Sequence, residues 1–108
     1  MRKINLHMLR AIDRRKDWCE RNTCVEVAQH VGNPYLIASV YLFGNHIADI
    51  VPPEGERQED RPGMRWEAQP NVETFRLFPT ATTRSRLRAL GVDAYIEDRK
   101  PHIDGEPA

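Results

Sequence analysis

YLIASVYLFGNHIADIV, residues 35–51, is two runs of strand-forming residues broken by Gly44-Asn45. A two-residue loop needs backbone angles that Gly and Asn tolerate, so this spacing predicts a tight β-hairpin. Closing the loop on Gly44-Asn45 sets Phe43 against His46, Leu42 against Ile47, Tyr41 against Ala48 and Val40 against Asp49. Side chains alternate along a strand, so one face then carries Leu36, Ala38, Val40, Leu42, Ile47 and Val51. The other carries Ile37, Ser39, Tyr41, Phe43, His46, Ala48 and Ile50. The first is the better core, although Asp49 falls on it and a buried carboxylate needs a partner. The second gathers Tyr41, Phe43 and His46 near the turn. Beneath a helix these three are core, the commoner fate; left open, they are a patch for a protein partner or a stacked base.

Upstream, Thr23, Val25 and Val27 alternate with Cys24, Glu26 and Ala28 in strand fashion, and Gly32-Asn33-Pro34 is a turn cluster. Residues 3–19 have helical periodicity, with Ile4, Met8, Ala11, Ile12, Trp18 and Cys19 on one face and Leu9 at its margin. Lys3, Arg10, Arg14 and Arg21 form a basic stripe opposite. Asp13 and Asp17 lie at helical spacings that allow weak ion pairs with it, so a solvated helix face accounts for the pattern as well. Cys19 and Cys24 are not a CxxC pair, and only His7 and His30 stand near enough to complete a zinc site. Two reduced, partly buried thiols are the expectation.

Downstream, residues 52–71 combine Pro52-Pro53, dense charge and no apolar period, which predicts a long irregular loop. Met64 and Trp66 are its large apolar groups, either tucked onto the core or offered to a partner. Residues 72–78 read as a strand stopped by Pro79. Thr82 or Thr83 caps a short helix through Leu90, with Leu87 and Leu90 inward, Arg84 and Arg88 sharing a face, and Gly91 at its end. Val92–Ile96 and His102–Asp104 form a final hairpin, and residues 105–108 are expected to fray. The predicted fold is a single α+β domain with an N-terminal helix, an antiparallel sheet of about five strands, and a short second helix before a C-terminal hairpin.

The chain has 108 residues, 16 Lys+Arg against 16 Asp+Glu, and 40% hydrophobic residues. That suits one core, and no apolar run is long enough for a membrane helix or a signal peptide. The neutrality is a sum of blocks: residues 1–24 balance at +4, 25–60 at −5, 61–88 at +4 and 89–108 at −3. A bulk polycation is excluded. Interspersed surface charge is the usual outcome, but a local basic face remains open.

No Gly-rich phosphate loop, GxSxG, HExxH or deaminase-type CxxC occurs, so neither a catalytic centre nor a metal or cofactor site is expected. The succession Asn22-Thr23-x-Val25, then Val40-Tyr41-Leu42-x-Gly44-Asn45-x-Ile47-Ala48, then Pro79-Thr80-x-Thr82-Thr83-Arg84-x-Arg86-Leu87-x-Ala89-Leu90 resembles a family of small accessory proteins of tailed bacteriophages. The resemblance covers about three quarters of the chain and departs at 52–71. It implies a phage-encoded protein made in the cytoplasm of an infected bacterium. Such a protein is expected to bind, and inhibit or redirect, a host protein or ribonucleoprotein complex, defence systems such as CRISPR included. On that reading Tyr41, Phe43, His46, Met64 and Trp66 are the partner-binding candidates. The alternative is direct nucleic-acid binding, with Lys3, Arg10, Arg14, Arg21, Arg84 and Arg88 on phosphates. A small hydrolase or nuclease is a third reading.

Overall fold

In the computed structural model, which describes residues 2–29, 35–52 and 67–108, the 35–51 stretch is the predicted hairpin, built from β3 (Leu36–Leu42) and β4 (Asn45–Val51). Its turn falls one residue earlier than the Gly44-Asn45 reading. Leu42 pairs with Asn45 and Tyr41 with His46, leaving Phe43 (φ 51°) and Gly44 (φ 79°) as the two loop residues. The register then shifts between Val40 and Tyr41, so that Val40 opposes Ala48 and Ser39 opposes Asp49, with Ile47 as the extra residue of a bulge. A bulge places two consecutive side chains on one face and flips the rest of the strand. Ile47, Ala48 and Ile50 are all buried, while Asp49 moves off the apolar face to stand beside Ser39. The carboxylate that sat awkwardly in the strict-alternation register is thereby relieved of burial.

The five-stranded antiparallel sheet runs in chain order: β1 (Trp18–Glu20), β2 (Thr23–Gln29), β3, β4 and β5 (Glu67–Pro70). β5 belongs to the stretch read as loop, where four residues of β-pairing with β4 outweigh a composition poor in strand formers. Residues 53–66 of that stretch, Met64 and Trp66 among them, lie outside the described residues, as does the Gly32-Asn33-Pro34 turn. One sheet face, carrying Val25, Ala38, Val40, Ala48 and Ile50, joins the core with residues of three helices: α1 (Lys3–Asp13), α2 (Val72–Leu77) and α3 (Ala81–Ala89).

α1 stops at Asp13, six residues short of the expected end at Cys19. Arg15 takes φ 53°, its amide bonding Ile12 O, and the Lys16 amide returns to Ala11 O. That pair of bonds is a Schellman ending, here with arginine where glycine is usual. Residues 13–17 hold no apolar side chain that would draw a further turn onto the core. Trp18–Glu20 is consequently an edge strand, which brings Cys19 directly opposite Cys24. The two are joined as a disulfide, a correction to the expected free thiols.

Residues 72–77 form a helix rather than the predicted strand. Asn71 caps it, its Oδ1 accepting from the Thr74 amide at 3.1 Å, and Phe75 is the side chain it buries. Thr80 caps α3 through the Thr83 amide, two residues before the earliest expected cap. Gly91 ends α3 as predicted, at φ 91°, with Val92 N bonding Leu87 O. The C-terminal hairpin of β6 (Ala94–Glu97) and β7 (Lys100–Ile103) gains a third strand, β8 (Glu106–Pro107), where fraying was expected. Asp104 (φ 51°) and Gly105 (φ 88°) supply the tight turn that folds it back.

Candidate functional site

The register of the sheet lines up two cross-strand rows on the face away from the core. Cys19, Cys24, Tyr41 and His46 form one; Glu26, Ser39, Asp49 and Gln69 form the other. No described helix contributes to this face, and Tyr41, Ser39, His46 and Asp49 are half-buried on it. The Tyr41 and His46 rings lie 5.3 Å apart at a tilt of 36°. His46 Nε2 contacts Asp49 Oδ1 at 2.7 Å, and Ser39 Oγ donates to the same oxygen at 2.7 Å. Asp49 therefore stands between the other two. A serine nucleophile needs the imidazole in that central position, so this trio does not have the order of a hydrolytic relay.

Phe43 parts from Tyr41 and His46. As a turn residue it is 71% exposed, and it lines a small cleft of about 90 Å³ on the helix side with Leu42, Ile47, Thr74 and Phe78. Phe78, at the α2–α3 junction, is 46% exposed. A second aromatic thus stands beside Phe43, one that the sequence reading had placed at the end of a strand.

The six basic candidates separate into three pairs. Lys3 and Arg21 line one cleft with Arg2 and Arg86; Arg84 and Arg88 line another, again with Arg2. Arg10 and Arg14 line a third depression with Lys16 and Trp18. Arg21 lies in the β1–β2 turn, not on a helical stripe, because α1 ends before it.

Arg2 and Arg86 are the basic residues the sequence reading missed. Arg86 is 3% exposed and has no carboxylate partner among the described residues. Its guanidinium donates to three neutral oxygens: Thr23 Oγ1 at 2.9 Å, Asn5 Oδ1 at 2.9 Å and Asn22 Oδ1 at 3.4 Å. Burial, and after it the charge of Arg2, holds its pKa below the ordinary arginine value. The signal was present in the spacing. Thr83, Arg86, Leu87 and Leu90 stand at i, i+3, i+4 and i+7, the buried stripe of α3, so Arg86 had to enter the core with its neighbours. Asn5 passes the network on, its Nδ2 donating to Ser85 Oγ at 3.2 Å.

No helix among the described residues is long and apolar enough to cross a membrane. No curated protein and no solved structure matches the chain. Residues 1–58, which span α1 to β4 and include the NTxV and VYLxGN segments but not the 79–90 segment, match the family described as Kyanoviridae Gp96 protein. With more than half of its length in that match, the chain belongs to this bacteriophage protein family.

Proposed function

We propose that the protein is a non-enzymatic phage accessory protein that binds a host protein or ribonucleoprotein complex and inhibits or redirects it, defence complexes of the infected bacterium among the candidates. The observation that carries this reading is Phe43. A bulky side chain in the left-handed region is disfavoured, and this one is also left in water at the hairpin tip. Asn or Gly satisfies such a turn at lower cost. A ring held there against local preference, beside exposed Phe78, has the character of an interface anchor.

Phe43→Asn separates anchor from fold, since Asn suits φ 51° and removes the ring. Tagged full-length protein should retain a stoichiometric partner from host lysate. F43N and Phe78→Ser should each lose it by about tenfold or more, with folding intact. Equal retention by F43N, or no stoichiometric partner for the native chain, overturns the reading.

A further inference from the structure

We infer that the paired clefts between α1 and α3 form a track for the phosphodiester backbone of a nucleic acid, with Arg2 shared between two successive phosphate positions. This goes beyond the protein-anchoring reading and depends on different residues.

The first cleft, about 490 Å³, is walled by Arg2, Asn5, Arg84, Ser85 and Arg88. It holds three cations and no carboxylate. None of the three forms an ion pair with a described residue.

The polar groups behind the arginines are also set to donate. Arg86 fixes the Asn5 amide by donating to its Oδ1, and Asn5 Nδ2 donates to Ser85 Oγ. With its oxygen engaged as acceptor, the Ser85 hydroxyl has its own proton to offer to the cleft. Arg88 is steadied from the far side, its Nε donating to Ala94 O at 2.8 Å, which leaves the terminal guanidinium nitrogens for a ligand. A site made of donors recognises a group made of acceptors, and a phosphodiester, whose two non-bridging oxygens share a charge and accept from arginine, is such a group.

The second cleft, about 560 Å³, continues the pattern with Arg2, Lys3, Arg21 and Arg86. Its one carboxylate, Glu20, is engaged by His7 Nδ1 at 3.0 Å. Two adjoining cationic clefts with one arginine in common suit a repeating anion better than a single one. That favours a nucleic-acid backbone over a lone phosphate. Both are outcomes the test separates.

The test is fluorescence anisotropy of the full chain with labelled single-stranded RNA, single-stranded DNA and duplex at low salt. Arg84→Gln/Arg88→Gln should weaken binding by about tenfold and lower the slope of log affinity against log salt by about 2. Arg2→Gln should weaken it too, whereas Arg10→Gln/Arg14→Gln, with the same change in charge, should stay within about twofold. Equal losses in the two double variants would reduce the effect to general electrostatics and overturn the track. So would absence of binding by the native chain at low salt. Displacement of the probe by inorganic phosphate or pyrophosphate at matched ionic strength would overturn the repeating-anion assignment in favour of an isolated phosphate site. Thermal unfolding of each variant checks that the fold is kept. F43N should bind nucleic acid like the native chain, so failure of either proposal is read without the other.

Discussion

Arg86 shows how a single residue can tie three segments together. Its three nitrogens reach Asn5 on α1, and Asn22 and Thr23 at the start of β2, so α1, α3 and the sheet are fixed by one guanidinium. Holding a cation this deep against neutral oxygens costs desolvation, which lowers its pKa, but removing it strands its partners. Thr23 keeps its bond to Asn22 Oδ1, while Asn5 Oδ1, in a residue 4% exposed, is left without a donor. The second effect wins. Arg86→Met should lower stability by about 2 kcal/mol in urea unfolding. Adding Asn5→Leu should recover part of that loss, because replacing both partners by apolar groups removes the stranded acceptor. If the double variant is less stable than the sum of the singles, the network is not what Arg86 supplies. The sequence reading grouped Arg84 with Arg88 and gave Arg86 no place in the core, since charge outweighed spacing in the reading of α3. Charge is a weaker guide when neighbouring side chains offer several fixed acceptors.

At the scale of elements, the hairpin, the strand at 23–29 and the Gly91 stop were legible because each rests on local chemistry: alternation, turn residues, a glycine at positive φ. The failures share a cause in pairing between distant segments. β5 exists through its ladder to β4, and Trp18–Glu20, once α1 has closed at Asp13, is a strand through its pairing with β2. Helix α2 was misread for a nearer reason. Its six residues are too few for periodicity to speak, and the Asn71 cap was the available signal. The disulfide follows from the corrected boundary, since only as a strand does Cys19 face Cys24. It closes a very short loop onto a three-residue edge strand. In the chain-entropy account such a loop is worth about 2 kcal/mol. Reduction, or Cys19→Ser/Cys24→Ser, should therefore lower the melting temperature and speed amide exchange in β1 ahead of β3. Unchanged exchange in β1 would mean that its ladder to β2 and the packing of Trp18 hold the edge strand without the disulfide.

For the whole molecule, the block structure of the charge acquires a spatial meaning. The two +4 segments, 1–24 and 61–88, contain α1 and α3, and these helices pack together, so a neutral chain presents one cationic groove. The −3 block forms the C-terminal sheet, whose attachment decides whether the groove has a firm frame. That sheet does not stand alone. Ala94 and Ile103 enter the same buried cluster as Phe75, Leu87, Val40 and Met8, and β6 and β7 contact α3 and α2. One shared core predicts one cooperative transition. Ile103→Ala, at a side chain 8% exposed, should cost about 3 kcal/mol, and the loss should appear equally in native-state exchange of β3 and β6 amides although β3 is in the other sheet. A loss confined to β6 and β7 would make the C-terminal sheet a separately opening unit. The wall of the groove at Arg88, which leans on Ala94 O, would then open with it, and anion affinity should fall together with β6 protection.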